Sequence, residues 1–333
     1  MPAFLFHQNM RVFGPNTPWR AHAYGGGAAP AWPPPLVPPP AAPAIPAGGF
    51  FAQISAGLGG EIVVAGLTEV TTYAALPVID AFQQPLLGFG LHRTLLVACG
   101  STALTAGKQE FLGLLFKTAG AGNQVTVLEV GRLIIKVSGV ASNVEMDTAP
   151  AAPAGADPWP AWQAWAQRFP LGTIDFRSVV YAVVDMPGFG VFGVAFLHNM
   201  YTFEDQRNIV TAKLPQLMTL LRQQVVALGG VHVYLGGDFN VEPGGGRRGT
   251  ARQGTLQAYT ANTPPGYGAP GHGTTWNGRM YDYWYSDIVP PLPLPAGFLP
   301  QASASSHTRD SGYTAVDSWR LMSDHAAIML QIA

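Results

Sequence analysis

Eight polar residues along this chain carry chemistry that could be pooled: Asn9, Glu69, His198, Asp238, Asn240, Asp282, Asp324 and His325. Each stands at or near the end of a stretch that reads as a β-strand. Carboxylates gathered at one rim would repel one another unless a divalent cation neutralised them. Asp, Glu and Asn without cysteine suit Mg²⁺, Mn²⁺ or Ca²⁺ better than a closed zinc site. Two histidines add acid–base groups near neutral pH. Taken singly, each histidine also reads as a satisfied structural residue, and Gly, Asp and Asn also end ordinary strands.

The element that must position the central pair is Val231–Asn240, V-H-V-Y-L-G-G-D-F-N. Val231, Val233 and Leu235 share one face of a strand, and His232 and Tyr234 the other. The strand delivers Asp238 and Asn240 to its C-terminal lip, pointing the same way because the period is two. Gly236 and Gly237 leave room for something to approach the backbone.

Composition bounds the answer. The 333 residues are 48% hydrophobic, enough for a sizeable core in one large domain or two ordinary ones. Only 11% are charged, against about 25% in ordinary proteins. The net charge of −1 gives no global field to draw in nucleic acid, so phosphate binding would need placed arginines and a metal. The lone Cys99 excludes an internal disulfide and reads as buried. No cleavable signal peptide is visible, and no apolar run reaches the roughly 18 residues that span a bilayer, so stable membrane insertion is not expected. Protein partners and compartment stay open, whether cytoplasmic or exported without a signal.

In chain order, Ala3–Met10 reads as a first strand. Residues 21–49, rich in Pro, Gly and Ala, read as a polyproline-II-like surface loop, or more sharply as a ligand for a proline-recognition domain. Glu61–Val70 is a buried strand ending near Glu69. His92–Cys99, Glu110–Lys117, Gln124–Leu128 and Arg132–Val140 read as further strands, joined in antiparallel hairpins at the glycines between them. Trp159, Trp162 and Trp165 stand at helical spacing, packing a helix on a core or else gripping a membrane or bases. Phe176–Asp185 and Val191–His198 are strands. Phe203–Leu228 reads as one helix that Pro215 starts or kinks. Ala326–Ile332 is the last strand.

Six segments in order resemble the endonuclease/exonuclease/phosphatase superfamily, most closely deoxyribonuclease I: H-Q-N-M-R-V-F-G (7–14), E-I-V-V-A-G-L-T-E-V (61–70), F-L-H-N (196–199), G-D-F-N (237–240), M-Y-D (280–282) and S-D-H (323–325). The resemblance implies a single domain over residues 1–333, an α/β (α+β) four-layer sandwich of two packed, mainly antiparallel sheets flanked by helices. It implies a metal-dependent phosphodiesterase, most specifically a nuclease. Glu69 would bind Mg²⁺ (or Mn²⁺ or Ca²⁺) with Asn9 and Asp324. His325 would act as the base, oriented by Asp282. His198 would contact the phosphate or protonate the leaving oxygen. Asp238 and Asn240 would position the water and a phosphate oxygen. Arg11 and Arg177 resemble phosphate-contacting arginines, although each also reads as a surface or salt-bridged residue.

The chain departs from the minor-groove nucleases in two places. Thr71 stands where they carry an arginine. G-K-Q-E-F (107–111) offers Gln109 or Glu110, without a tyrosine, where they carry a tyrosine and a glutamate. Nucleic acid is therefore the first expected substrate and a phospholipid or inositol-phosphate head group the alternative. For the latter, the apolar stretch Trp284–Phe298 could touch a membrane. A catalytically inactive binding module of the same fold is the remaining class.

Overall fold

A computed structural model describes residues 1–13, 60–70, 76, 79, 92–101, 109–138, 141–168, 178–199, 204–241, 281–286 and 328–333. In chain order the strands are β1 (Ala3–Phe13), β2 (Glu61–Val70), β3 (His92–Ser101), β4 (Gln109–Lys117), β5 (Thr126–Ser138), β6 (Ala141–Thr148), β7 (Val179–Met186), β8 (Gly190–His198), β9 (His232–Asp238), β10 (Asp282–Ser286) and β11 (Ile328–Gln331). Helix α1 (Trp159–Ala166) lies between β6 and β7, and α2 (Glu204–Ala227) between β8 and β9.

The first sheet has the order β11-β1-β2-β4-β3 and the second β10-β9-β8-β7-β5-β6. Among the described strands only β1–β2 and β8–β9 pair parallel, so the expected two-sheet, mainly antiparallel sandwich is present. Strand periodicity sends alternate side chains to opposite faces. Leu5, Val97, Leu114 and Phe116 of the first sheet thereby join Ala182, Val184, Phe196, Tyr234 and Trp284 of the second in one buried core.

The opposite face of the second sheet carries Val233, Leu235 and Tyr283. It packs on Val210, Leu214, Leu217, Leu221 and Val225, which recur at helical spacing on α2. On the outer face of the first sheet, the helical residue Ile79 is buried, and its Cδ1 would stand 3.8 Å from a Cβ added to Gly113.

Four expectations change. The two strands read around Gly131 are a single strand, β5, because Gly131 pairs with Tyr181 and leaves the space that the tyrosine ring fills, 2.5 Å from where a Cβ would be. The polar segment Ala141–Thr148 is a strand, β6, at the sheet edge: Val144 and Met146 pack against the core while Asn143 and Glu145 are exposed, the alternation of an antiparallel strand with one face in water. The tryptophan helix α1 does not form an outer layer. Trp159, Trp162 and Ala166 enter the core between the sheets, and Trp159 meets Phe116 edge-on. Pro215 does not start α2, which begins at Glu204 and carries the proline inside it. Among the described residues no helix is long and apolar enough to cross a membrane. The 21–49 segment lies outside the described residues.

Candidate active site

Counting by twos along the strands leads from the core to one rim. In the second sheet, Phe196 leads to His198, Tyr234 to Asp238 and Trp284 to Asp282. These three polar residues form a row, since Asp238 pairs with His198 on one side and with Asp282 on the other. In the first sheet, Leu5 leads to His7 and Asn9, and Leu112 leads to Glu110. The two rows face each other across the seam of the sandwich.

Two residues reach the site by leaving regular geometry. Thr68 bonds His7 across β1–β2, so strict alternation would turn the next residue, Glu69, away. Glu69 instead has φ of +59°, and the pairing of β2 with β4 shifts register between Leu67 and Val70. This local irregularity accompanies its return to the seam. Asn240 has φ of +51° and lies beyond the end of β9. Its side chain therefore joins Asp238 by a left-handed turn rather than by the period of two expected from sequence. Left-handed backbone costs a non-glycine residue about 1–2 kcal/mol, so other contacts must hold it.

Those contacts are hydrogen bonds. Asn9 Nδ2 donates to Glu69 Oε1 at 3.2 Å and to Asp238 Oδ2 at 3.0 Å, tying the first sheet to the second. Asn240 donates its backbone N–H to Asp238 Oδ1 at 2.8 Å, and its Nδ2 to Asp238 Oδ2 at 3.2 Å and to the Asn199 carbonyl at 2.8 Å. Asp238 is buried, and these donors reach both of its carboxylate oxygens, as burial of a polar group requires. His198 Nδ1 is 2.5 Å from Glu110 Oε1, and Nε2 is 3.1 Å from Glu69 Oε1 and 3.6 Å from Asp238 Oδ2.

The glycine pair serves the protein's own packing. A Cβ on Gly236 would lie 2.5 Å from the Trp284 ring. Gly237, at φ of +149°, would put one 2.0 Å from the Leu197 carbonyl oxygen. The room expected for an approaching ligand is thus filled by a neighbouring ring and strand. Trp284 is wholly buried, which corrects the reading of it as the start of a membrane-touching segment.

The structure brings together Asn9, Glu69, His198, Asp238, Asn240 and Asp282. Arg177, Asp324 and His325 lie outside the described residues, as does the side chain of Arg11. Between Gln109 and Glu110, Glu110 is the residue at the site, buried and paired with His198. The sequence signal for it was parity, since Glu110 continues the inward series of Leu112 and Leu114. His7 is the other addition. It is fully buried, with Nδ1 3.9 Å from Asp282 Oδ1.

Ligand atoms of Glu69, His198 and Asp238 lie within 4.8 Å of one another. Two carboxylates beside an imidazole fit a hard or borderline divalent ion such as Mg²⁺, Mn²⁺ or Ca²⁺. Asn9 commits its Nδ2 to the carboxylates, so only its Oδ1 could face a cation.

No protein-family model matches the chain, and no curated protein matches it. Solved structures do. An endonuclease/exonuclease/phosphatase family protein from Leptotrichia buccalis is 9% identical, with 99% of each chain covered and a TM-score of 0.50. A functionally unknown conserved protein from Enterococcus faecalis is 12% identical, with 99% of each chain covered and a TM-score of 0.50. At such identities the likeness concerns the fold, and the fold is that of the endonuclease/exonuclease/phosphatase proteins.

Proposed function

We propose that this chain, built on the endonuclease/exonuclease/phosphatase fold, is a divalent-metal-dependent phosphodiester hydrolase, and most specifically a nuclease. The observation that carries the reading is the His198 imidazole, held between Glu110 on one nitrogen and Glu69 and Asp238 on the other. A carboxylate on Nδ1 fixes the ring and presents Nε2 to the seam. Such a group can contact a phosphate or give a proton to a leaving oxygen.

Glu69 holds the cation, Mg²⁺ first and Mn²⁺ or Ca²⁺ as alternatives, together with Asn9 and Asp324. When bound, such an ion supplies electrostatic stabilisation of charge developing on phosphoryl oxygens. His325 takes a proton from water and Asp282 orients it. Asp238 and Asn240 position the water and a phosphate oxygen, while Arg11 and Arg177 grip the substrate's phosphates. The roles of Asp324, His325 and the arginines come from the resemblance of their motifs.

Low charge favours the alternative substrate, a phospholipid or inositol-phosphate head group, more than it favours duplex DNA. The test is hydrolysis of a generic phosphodiester dye with and without EDTA. A panel of plasmid, single-stranded DNA, RNA, sphingomyelin and phosphoinositides in Mg²⁺ follows. EDTA-sensitive cleavage of nucleic acid supports the reading. Cleavage confined to a lipid head group replaces nuclease with the alternative. Absence of hydrolysis across the panel leaves an inactive binding module of the same fold.

A further inference from the structure

His7 lies on the inward face of β1, two residues after Leu5 and two before Asn9, and is wholly buried. An apolar side chain would continue the core pattern there, and burying an imidazole costs free energy unless its polar atoms are matched. Three of its ring contacts bear on its role. Nε2 is 3.2 Å from Thr68 Oγ1. The ring stacks on Phe196, with centroids 6.2 Å apart and planes at 22°. Nδ1 faces Asp282 Oδ1 at 3.9 Å, across the seam between the sheets.

Asp282 stands beside a second buried carboxylate. It pairs directly with Asp238 on β9, and both carboxylates are buried. Like charges opposed on adjacent strands destabilise a sheet and push the side chains apart. Asp238 is directed by Asn9 and Asn240. We propose that His7 is a positioning residue for Asp282: the Thr68 hydroxyl donates to Nε2, leaving the ring hydrogen on Nδ1, aimed at the Asp282 carboxylate. At 3.9 Å the contact is longer than a hydrogen bond, so it acts by electrostatic orientation. Its effect on rate rests on the hydrolase reading, in which Asp282 orients the base. The contact itself does not rest on that reading.

The test has two arms on the full chain. Long-range ¹H–¹⁵N spectra report the His7 tautomer directly. The expected result is hydrogen on Nδ1, with ring signals that shift in Thr68→Val and in Asp282→Asn. The second arm measures phosphodiester hydrolysis. His7→Leu is expected to lower kcat about 10-fold with KM unchanged, on the scale of other supporting-residue losses. His7→Asn, which keeps an N–H donor close to Cβ, is expected to recover most of it. Adding His7→Leu to Asp282→Asn is expected to cost little more. Hydrogen on Nε2, or ring signals indifferent to Asp282→Asn, overturns the proposal whether or not His7→Leu folds, as do fully additive rate losses. A chain that hydrolyses nothing while its His7 signals follow Asp282 keeps the contact and loses the hydrolase reading.

Discussion

His198 and Glu110 hydrogen-bond at 2.5 Å although they belong to different sheets, β8 in the second and β4 in the first. The pair is therefore formed only when the sandwich is closed.

Glu110→Gln keeps the shape and removes the charge that orients His198. We expect kcat to fall, with KM little changed. His198→Ala should fall further, by about 10²–10⁴-fold, as for loss of a general acid or base. Because the two act as one unit, the double variant should be little worse than His198→Ala alone. Steady-state kinetics on a phosphodiester dye check this, and additive losses would separate the two residues.

Glu69→Ala should abolish divalent-dependent hydrolysis and leave the fold intact, because Glu69 sits at the end of β2 with its side chain 23% exposed and contributes no core volume. A ligand that binds only the folded state raises the unfolding temperature. Mg²⁺ or Mn²⁺ should therefore raise it for the unaltered chain and not for Glu69→Ala. Calorimetry with and without EDTA reads this separately from activity.

The periodic parts of the fold could be read from sequence. Glu61–Val70 has the bounds of β2 because both its faces are buried. What could not be read depends on partners distant in the chain. Gly131 looked like a hairpin and is a seat for Tyr181. Gly236 looked like an opening and is a seat for Trp284. The site was legible in its residue types, which motif order supplied. Its geometry was less so: Glu69 and Asn240 arrive through positive φ, which no alternation pattern encodes. Glu110 was visible only as one of two choices until His198 selected it.

Gly236→Ala and Gly237→Ala test the packed reading of the glycine pair. Gly236→Ala should overpack the Trp284 ring and destabilise by about 1–3 kcal/mol. Gly237→Ala should cost more, since its added Cβ meets backbone rather than a side chain and φ is +149°. Urea unfolding gives both values. Neutral substitutions would mean that the space is open after all.

Tyr283 ties the site loop to the outer face of the second sheet. Its hydroxyl donates to the Val241 carbonyl at 2.8 Å, and its ring stacks on Phe239 with centroids 4.3 Å apart. Burial, then the neighbouring Tyr285, pushes the phenol well above its ordinary value of 10.0. A folded value raised above the unfolded one means stability is whole below about pH 10 and is lost as pH rises beyond it. We expect the urea midpoint to fall in that alkaline range, and Tyr283→Phe to flatten the fall while lowering stability near neutrality.

The grip on substrate should be weak in charge. The chain has a net charge of −1, and Thr71 stands where the minor-groove nucleases it resembles carry an arginine. Two or three cations are the expected phosphate contacts, drawn from Arg11, Arg177 and the adjacent pair Arg247–Arg248, which follows Pro243–Gly246 in a stretch whose sequence reads as a locally basic loop. Each contributes roughly 0.9 to the slope of log affinity against log salt on duplex DNA, so the slope should be shallow, about −2 to −3. Replacing Arg247 and Arg248 together by glutamine should flatten it and leave kcat unchanged, because neither arginine belongs to the proposed catalytic set. Binding isotherms from low to moderate salt measure both chains. A slope near zero for the unaltered chain would remove nucleic acid as the substrate and leave a head-group phosphodiester in its place.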